Sequence, residues 1–271
     1  MHRLWTALFK LVCRVFPGSD PSGGDDHVPY FESGFESTSR FFARIPNSVV
    51  QLEGARHLDV GCGYGTSCVY TAQHGAVRAV GVDSDAVRIE FARRHIPTAH
   101  PEVADRVEFL IDDTTAALAG ERFDLITLKD SFEHIDEPEQ AINEIKTLLA
   151  PGGALVIGNP PWKSFYGGHT NFMTRFPWVH LIFPERVVME VRRDYRPDEP
   201  PATRYEDVQG GMNRMTVQRF EEIMGRTGLR QEYFAINQGN HPAHRVLRVL
   251  QRLPFGREVF AANMYGVWRA P

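Results

Sequence analysis

From residue 56 onward, short runs rich in β-branched and aromatic residues alternate with stretches of helical character, and no other feature limits the fold as strongly. The runs are RHLDV at 56–60, VRAVGVD at 77–83, VEFLID at 107–112, FDLITLK at 123–129, ALVIG at 154–158, EYFAIN at 232–237 and VFAANMYGVW at 259–268. Consecutive strands separated by helices pair in parallel, because the chain must cross back over the sheet before the next strand begins. The pattern therefore predicts a parallel sheet covered by helices.

The helical stretches carry their own punctuation. TSCVYTAQHG closes at Gly75, and SDAVRIEFARRH takes Ser84 as its N-cap and ends on basic residues that suit the helix dipole. In DEPEQAINEIKTLLAPGG, Asp136 caps the helix, Pro138 sits in its first turn, and Ala141, Ile142, Ile145, Leu148 and Leu149 form an apolar face ended by Pro151-Gly152. TVQRFEEIMGRTG begins a later helix at Thr216. Residues 160–212 break the rhythm: they are rich in aromatics and prolines and show no regular period, as expected of a lid or binding element. The expected division is 1–55 as an N-terminal helix, loop and cap, and 56–271 as one domain with the lid at 160–212 inserted.

The opening MHRLWTALFKLVCRVFP is not read as a signal sequence, since Lys10 and Arg14 interrupt its apolar run and no small-residue cleavage site follows. It is also too short and charged to span a bilayer. Leu4, Leu8, Leu11, Val12 and Val15 fall on one side of a helix, with Arg3, Lys10 and Arg14 elsewhere. Two readings stay open, a helix packed on its own domain or a peripheral contact with a membrane or partner. PGSDPSGGDDHVP at 17–29 has the composition of a loop.

A formal net charge of -4 supplies no basic field for bulk nucleic acid. Cys13, Cys62 and Cys68 are the only cysteines, an odd number without CxxC spacing, which argues against a disulfide framework and a structural zinc site. A reducing cytoplasm is the expected setting.

HLDVGCGYGTS at 57–67 places Gly61, Gly63 and Gly65 between a strand and a helix, where backbone must come close to a ligand. A nicotinamide dinucleotide site of G-x-G-x-x-G form needs glycine at 66, where this chain has Thr66. Asp59 would repel a pyrophosphate but attract a cationic ligand. Asp83 ends the second strand, 22 residues beyond Gly61, where a carboxylate accepts ribose hydroxyls, and Asp112 and Asp113 end the third.

Taken together these residues resemble class I S-adenosylmethionine-dependent methyltransferases. The likeness runs through LDVGCGYG, VGVDSD, LIDDT, FDLITLKDSFEHI and LAPGGALVIG over 56–160, and more loosely through 216–269. It implies an α/β fold with a doubly wound, mostly parallel seven-stranded sheet of Rossmann-like type, an N-terminal helical cap and an inserted aromatic lid. It also implies S-adenosylmethionine as cofactor. Asp59, Gly61, Gly63 and Gly65 then flank its methionine part, Asp83 holds ribose, and Asp113, at the usual acidic position, holds adenine. Lys129, where the family often has a small or amide residue, lies in the segment lining the cofactor. Cys62 is a small filler of the loop.

GNPPWKSFYGGHTN at 158–171 holds Asn159, Pro160, Pro161 and Trp162, which resemble the motif of enzymes that methylate amino groups of DNA bases. In those enzymes the tetrad follows the fourth strand. Here it follows the fifth, and Lys129 and Asp130 stand at the fourth, so the tetrad reads as a proline-stiffened exit into the lid.

Methyl transfer to a hydroxyl asks for a base near neutral pKa, for which histidine is suited. His134 in DSFEHIDEP and His169 in SFYGGHTN are the candidates, with His180 a third. His134 matches a position where the family commonly has histidine whatever the acceptor. His169 follows a hinge-like Gly167-Gly168 pair, and Trp162, Phe165, Tyr166, Phe172 and Trp178 are able to wall an acceptor pocket, with Trp162, Tyr166, Phe172 and Trp178 as the substrate-contacting set. Asp130, Glu133 and His134 could converge on a metal, but acidic residues after such a turn more often cap or face water, and no metal is expected. Arg175, Arg192, Arg193 and Arg196 are read as solvating the loop.

The expected reaction is O-methylation of a small molecule, glycan or natural product with His169 as base. Two rivals stay open: an N- or C-methyltransferase acting on an amine, quinone or lipid, and a cofactor-binding partner subunit without turnover. Acceptor identity and oligomeric state are not encoded in these patterns.

Overall fold

The strands β1 (Arg56–Val60), β2 (Arg78–Asp83), β3 (Val107–Ile111), β4 (Phe123–Lys129), β5 (Leu149–Asn159), β6 (Arg230–Ile236) and β7 (Met264–Arg269) form one seven-stranded sheet in the order β3-β2-β1-β4-β5-β7-β6. This is the architecture of a computed structural model that describes residues 1–19, 27–112, 115–197, 199–208, 210–238 and 242–271. The pairs from β3 through β5 are parallel, and β7 runs antiparallel to both β5 and β6. The chain runs outward from β1 to β3 and then returns to β4, so the strand order reverses between β1 and β4. In open α/β sheets the carboxyl ends of such a pair border the ligand crevice.

The helices are α1 (His2–Val15), α2 (His27–Ala43), α3 (Thr66–Gln73), α4 (Ala86–Ala99), α5 (Pro138–Ile145), α6 (Val179–Ile182), α7 (Glu185–Tyr195), α8 (Val217–Arg226), α9 (Pro242–Leu250) and α10 (Gly256–Val259). Alternation along each strand divides its side chains between two cores. In β4 and β5, Ile126, Leu128, Leu155 and Ile157 join Ile142 and Ile145 of α5 and Phe220 and Ile223 of α8. Their neighbours Leu125, Ala154 and Val156 pack on the other face with Phe41 of α2. On that side of β2 and β3, Ala79 and Phe109 pack with Val69 of α3, Phe31 of α2 and Ile89, Ala92 and Ile96 of α4.

The two N-terminal helices go to different places. Whereas α2 covers the sheet, α1 joins the lid: Phe9 and Cys13 share a core with Met173, Val179, Phe183, Val188, Met189 and Met212. The lid is thus more regular than its sequence announced, because α7 buries Val187, Val188, Met189 and Val191 on one face.

Several local expectations are corrected. The packed face of α1 is Thr6, Phe9 and Cys13, while Leu4, Leu8, Leu11 and Val15 are exposed, since α7 meets the helix from the side opposite the aliphatic stripe. Asp85 rather than Ser84 caps α4, its carboxylate accepting from the amides of Val87 at 2.9 Å and Arg88 at 3.3 Å. Glu137 rather than Asp136 precedes α5, with no side-chain cap bond. Thr216 caps α8 as expected, its hydroxyl accepting from the amide of Arg219 at 3.1 Å. Among the described residues, no helix is long and apolar enough to cross a membrane.

Candidate cofactor and acceptor site

The turn after β1 can be made only with residues that tolerate a left-handed backbone, since Gly61, Gly63 and Gly65 have φ of 74°, 55° and 83°. Two of them are also pressed by neighbours. A Cβ on Gly61 would stand 2.5 Å from that of Ser131, and one on Gly65 would enter the Phe109 ring. The turn is tied to β2 by the amides of Gly61 and Cys62, which donate to the Val82 carbonyl at 2.8 and 3.0 Å. Asp83 completes the attachment: one carboxylate oxygen accepts from the Gly63 amide at 2.8 Å and the other from the Asp85 amide at 2.9 Å. Cys62 is buried in this loop, and its sulfur lies against Gly81.

Asp59 lies one residue before the end of β1 and is only 3% exposed. The Thr127 hydroxyl donates to its Oδ1 at 2.5 Å. His57 Nε2 is 2.8 Å from that same hydroxyl oxygen, and His57 Nδ1 is 2.8 Å from Thr71 Oγ1. With the Thr127 proton used on the carboxylate, its oxygen accepts from His57 Nε2–H, while the Thr71 hydroxyl beside Nδ1 also donates to the Cys68 carbonyl at 3.1 Å. Burial lowers the pKa of His57 to about 3, so the ring is neutral at pH 7. Burial raises that of Asp59 to about 6, against the opposing effects of the Thr127 hydrogen bond and the Lys129 charge, which leaves it ionised at pH 7. Sequence reasoning missed His57 and Thr127, for which the signal was a polar side chain at a buried position of each of two strands.

Lys129 ends β4 with its Nζ 3.7 Å from an Asp130 oxygen, and its charge favours ionisation of both Asp59 and Glu133. Asp113 lies outside the described residues. Its neighbour Asp112 accepts from the Ala117 amide at 3.1 Å.

Beyond β4 the chain turns at Asp130, with φ of 51°, and the Ser131 hydroxyl donates to the Val60 carbonyl at 2.7 Å. A short helical turn at Phe132–His134 follows and borders the glycine turn through Ser131. Glu133 is 3% exposed, and neither of its carboxylate oxygens has a hydrogen-bond partner among the described residues. His169 Nε2 stands 3.7 Å from Glu133 Oε1, and the His169 and His134 rings are 5.0 Å apart. The two candidate histidines, distant in sequence, therefore share one place. His134 Nδ1 lies 2.7 Å from the Gly211 carbonyl and donates to it, leaving Nε2 without a proton in the neutral ring. Asn213 holds the turn in shape, its amide donating to the Glu133 carbonyl at 2.9 Å and its side chain to Phe132 and Ile135, each at 2.8 Å.

His169 occupies a left-handed backbone at φ of 49°, a conformation costly for a residue with a side chain. Burial, followed by the charges of His134 and Arg192, lowers its pKa to about 4, below the near-neutral value expected of a base from sequence. Burial, followed by the charge of Asp130, pushes Glu133 well above the usual carboxylate range. Donor atoms of Glu133, His134 and His169 all lie within 4.8 Å of one another, a different set from Asp130, Glu133 and His134, since Asp130 pairs with Lys129.

A cavity of about 60 Å³ adjoins the cluster, lined by His134, His169, Thr170, Met173, Met189, Tyr205 and Met212 among others. Trp162, Tyr166, Phe172 and Trp178 are not among its walls. Trp162 packs edge-on against His180 and Tyr205 with ring separations of 4.9 and 4.8 Å. Tyr166 donates its hydroxyl to the Arg175 carbonyl at 2.9 Å. Phe172 lies beneath Arg196 at 4.3 Å and Arg192 at 5.1 Å, and Trp178 packs on Phe165 at 4.6 Å. His180 donates from Nε2 to the Trp162 carbonyl at 2.7 Å. Gly167 and Gly168 are not hinge-like: neither has a positive φ, and a Cβ there would strike Trp162 backbone or the His180 side chain. Asn159 ends β5 beside Met264 of β7, so the tetrad lies one strand beyond the position its resemblance requires.

Residues 58–157 match the family model described as a methyltransferase domain. Ubiquinone biosynthesis O-methyltransferase from Brucella melitensis is 34% identical over 118 residues, covering 43% of this chain and 45% of that protein. The enzyme of the same name from Chelativorans is 35% identical over 124 residues, covering 45% and 47%. The chain thus spans about half the length of the curated relatives it matches. Among solved structures, an S-adenosylmethionine-dependent methyltransferase from Mesorhizobium loti aligns with a TM-score of 0.55 at 17% identity over 86% of this chain and 96% of that one. Magnesium protoporphyrin IX methyltransferase from Synechocystis with bound S-adenosylhomocysteine aligns at 0.51 and 13%, over 90% and 84%. A [4+2]-cyclase, SpnF, aligns at 0.55 and 17%, over 89% and 82%, so the fold alone does not fix the chemistry. Residues 58–157 thus carry a methyltransferase domain, and the sheet order and the glycine turn agree with the fold of S-adenosylmethionine-dependent methyltransferases.

Proposed function

We propose that this protein transfers a methyl group from S-adenosylmethionine to a hydroxyl oxygen of a small molecule, glycan or natural-product scaffold. The observation that carries the reading is the meeting of His169, His134 and Glu133 beside the glycine turn, where the fold family binds its cofactor. The O-methyltransferase names of the relatives favour oxygen over nitrogen or carbon.

The residues present fit the cofactor. Asp59 is anionic at pH 7 and suits the ammonium of the methionine part, and Asp83, fixed by two backbone amides, retains lone pairs for ribose hydroxyls. The glycine turn admits the methionine backbone closely. Bound S-adenosylmethionine supplies a methyl group activated by its sulfonium. Its transfer is an in-line displacement, so the protein's share is alignment of the two centres and removal of the hydroxyl proton. His169, neutral at pH 7, has a lone pair for that proton and accepts it as the new C–O bond forms and the C–S bond breaks, leaving S-adenosylhomocysteine. Glu133, with Oε1 3.7 Å from His169 Nε2, balances the imidazolium when ionised.

The test is product analysis with cofactor labelled in the methyl group, run with wild type and His169→Gln. Labelled methyl in an ether, lost in the variant while S-adenosylhomocysteine still binds, supports the reading. Label on nitrogen or carbon, or full turnover in the variant, removes it.

A further inference from the structure

We infer that Glu133, His134 and His169 form a binding site for a divalent transition cation. The inference concerns the pocket of the proposed methyl transfer and rests on that reading only for the cation's use, not for its binding.

Three independent features lead to it. First, Glu133 is a buried carboxylate whose two oxygens lack any hydrogen-bond partner among the described residues. The cations nearest the cluster are committed elsewhere, Lys129 to Asp130 and Arg192 to Glu199. Buried carboxylates are ordinarily paired or bound to metal, because the interior solvates them poorly. Second, His134 is held in a metal-competent form. Its Nδ1–H is given to the Gly211 carbonyl, which fixes the ring and leaves Nε2 as the donor atom, the arrangement in which metal-ligating histidines are commonly found. Third, His169 is brought to the same point on a strained left-handed backbone, with Nε2 directed to within 3.7 Å of Glu133. Strain of this kind persists where surrounding structure imposes it at a working site.

The donor atoms lie within 4.8 Å of one another. Ligands at about 2.0–2.2 Å from one ion stand roughly 3–4 Å apart, so side-chain shifts of about 1 Å close the site. Two imidazoles and one carboxylate favour zinc, manganese or iron over magnesium and calcium, which take oxygen ligands. Three protein ligands leave coordination positions open toward the cavity lined by Met173, Met189 and Tyr205. An acceptor hydroxyl bound there is polarised by the cation and releases its proton to solvent, and His169 then serves as a ligand in place of its role as base.

The site is tested on the full chain after dialysis against a chelator, titrating Zn²⁺ and Mn²⁺ by calorimetry and Co²⁺ by visible absorption. One ion per chain is expected, with affinity reduced roughly 100-fold or more in Glu133→Gln and in His169→Gln, because even partners outside a ligand set cost about 10- to 100-fold. S-adenosylhomocysteine affinity, unchanged in both variants, shows that they are folded. Should either variant fail to fold, Co²⁺-loaded wild type examined by proton NMR decides the matter: hyperfine-shifted exchangeable protons from two imidazoles support the site, and fewer than two overturn it. Absence of stoichiometric uptake by wild type, or equal uptake by a folded variant, also overturns it. In that event methyl transfer lost in His169→Gln keeps the functional reading intact. An ion bound by a protein that methylates no hydroxyl keeps the site and removes that reading.

Discussion

The two sides of the crevice handle buried polar groups in opposite ways. Toward β1 and β2, Asp83 is bonded by two amides, and Asp59 is bonded to Thr127, which is held by His57, which is held by Thr71. Toward the lid, Glu133 has no hydrogen bond, and His169 sits on strained backbone. A satisfied network keeps its shape whether or not a ligand arrives, whereas an unsatisfied one gains most of its stability from what binds. Under the proposed function, the preorganised half serves the cofactor and the ligand-dependent half serves the acceptor.

The strongest way to break the comparison is to damage the lid half and look for an effect on the other. His169→Gln is expected to lower turnover by about 10²- to 10⁴-fold, the range of a lost proton acceptor. S-adenosylhomocysteine affinity, measured by calorimetry, should stay within about twofold, as expected of a residue that makes no contact with the cofactor half. A parallel fall in affinity would show that the halves are not separable.

Damage to the preorganised half should appear as lost folding stability. Gly65→Ala places a methyl in the Phe109 ring and forces alanine to φ near 83°, while Gly63→Ala meets no atom within 4 Å and carries only the dihedral penalty. Overpacking costs about 1–3 kcal/mol and the left-handed backbone about 1–2 kcal/mol. Denaturant unfolding should therefore find Gly65→Ala about 2–5 kcal/mol less stable and Gly63→Ala about 1–2 kcal/mol less stable. Equal losses would mean that the Phe109 contact carries no weight.

The same contrast explains what could be read from the chain. The strands and the glycine turn follow from neighbours in sequence: an alternating pattern sets each strand, and three glycines at spacing two mark a turn that needs positive φ. The Asp59 network was not legible because Thr127 reaches the carboxylate through the parallel register that sets Asp59 opposite Thr127, and no local pattern encodes register between strands. Glu133 and His169 were noted separately, but their meeting depends on the path of the lid, which passes Gly168 against His180 and brings Gly211 to His134. The lid aromatics were legible as a group but not by role. Large rings fill a small core as readily as they wall a pocket, and Trp162 and Phe172 do the former.

A smaller effect sharpens the role proposed for Asp59. Under that proposal Asp59→Asn removes the charge that pairs with the cofactor's ammonium, and a hydrogen bond to a charged group contributes about 1.5–3 kcal/mol. Calorimetry should find S-adenosylmethionine binding weakened roughly 10- to 150-fold, with folding retained. Unchanged affinity would place the ammonium elsewhere.

The smallest expected effect in the wild type is one of cancellation. As pH falls below 6.5, the unfolded chain protonates His57 while the folded chain, with His57 held to about 3, does not, so this residue alone lowers stability by about 1.4 kcal/mol per pH unit. Asp59 acts in the opposite sense. Raised to about 6 in the fold against 3.8 without it, Asp59 takes up its proton first in the folded state and adds stability at the same slope between those two values. From pH 6 to about 4 the pair contributes almost no net dependence, an economy that follows from burying a base and an acid on one threonine. Asp59→Asn removes the compensating group and leaves His57 in place. Denaturant midpoints of the cofactor-free proteins should then diverge as pH falls from 6 to 4.5, the variant losing about 1.4 kcal/mol per pH unit relative to wild type. Taking the difference cancels every titrating group common to both, His57 included, so parallel profiles would show that the Asp59 carboxyl is not raised in the fold.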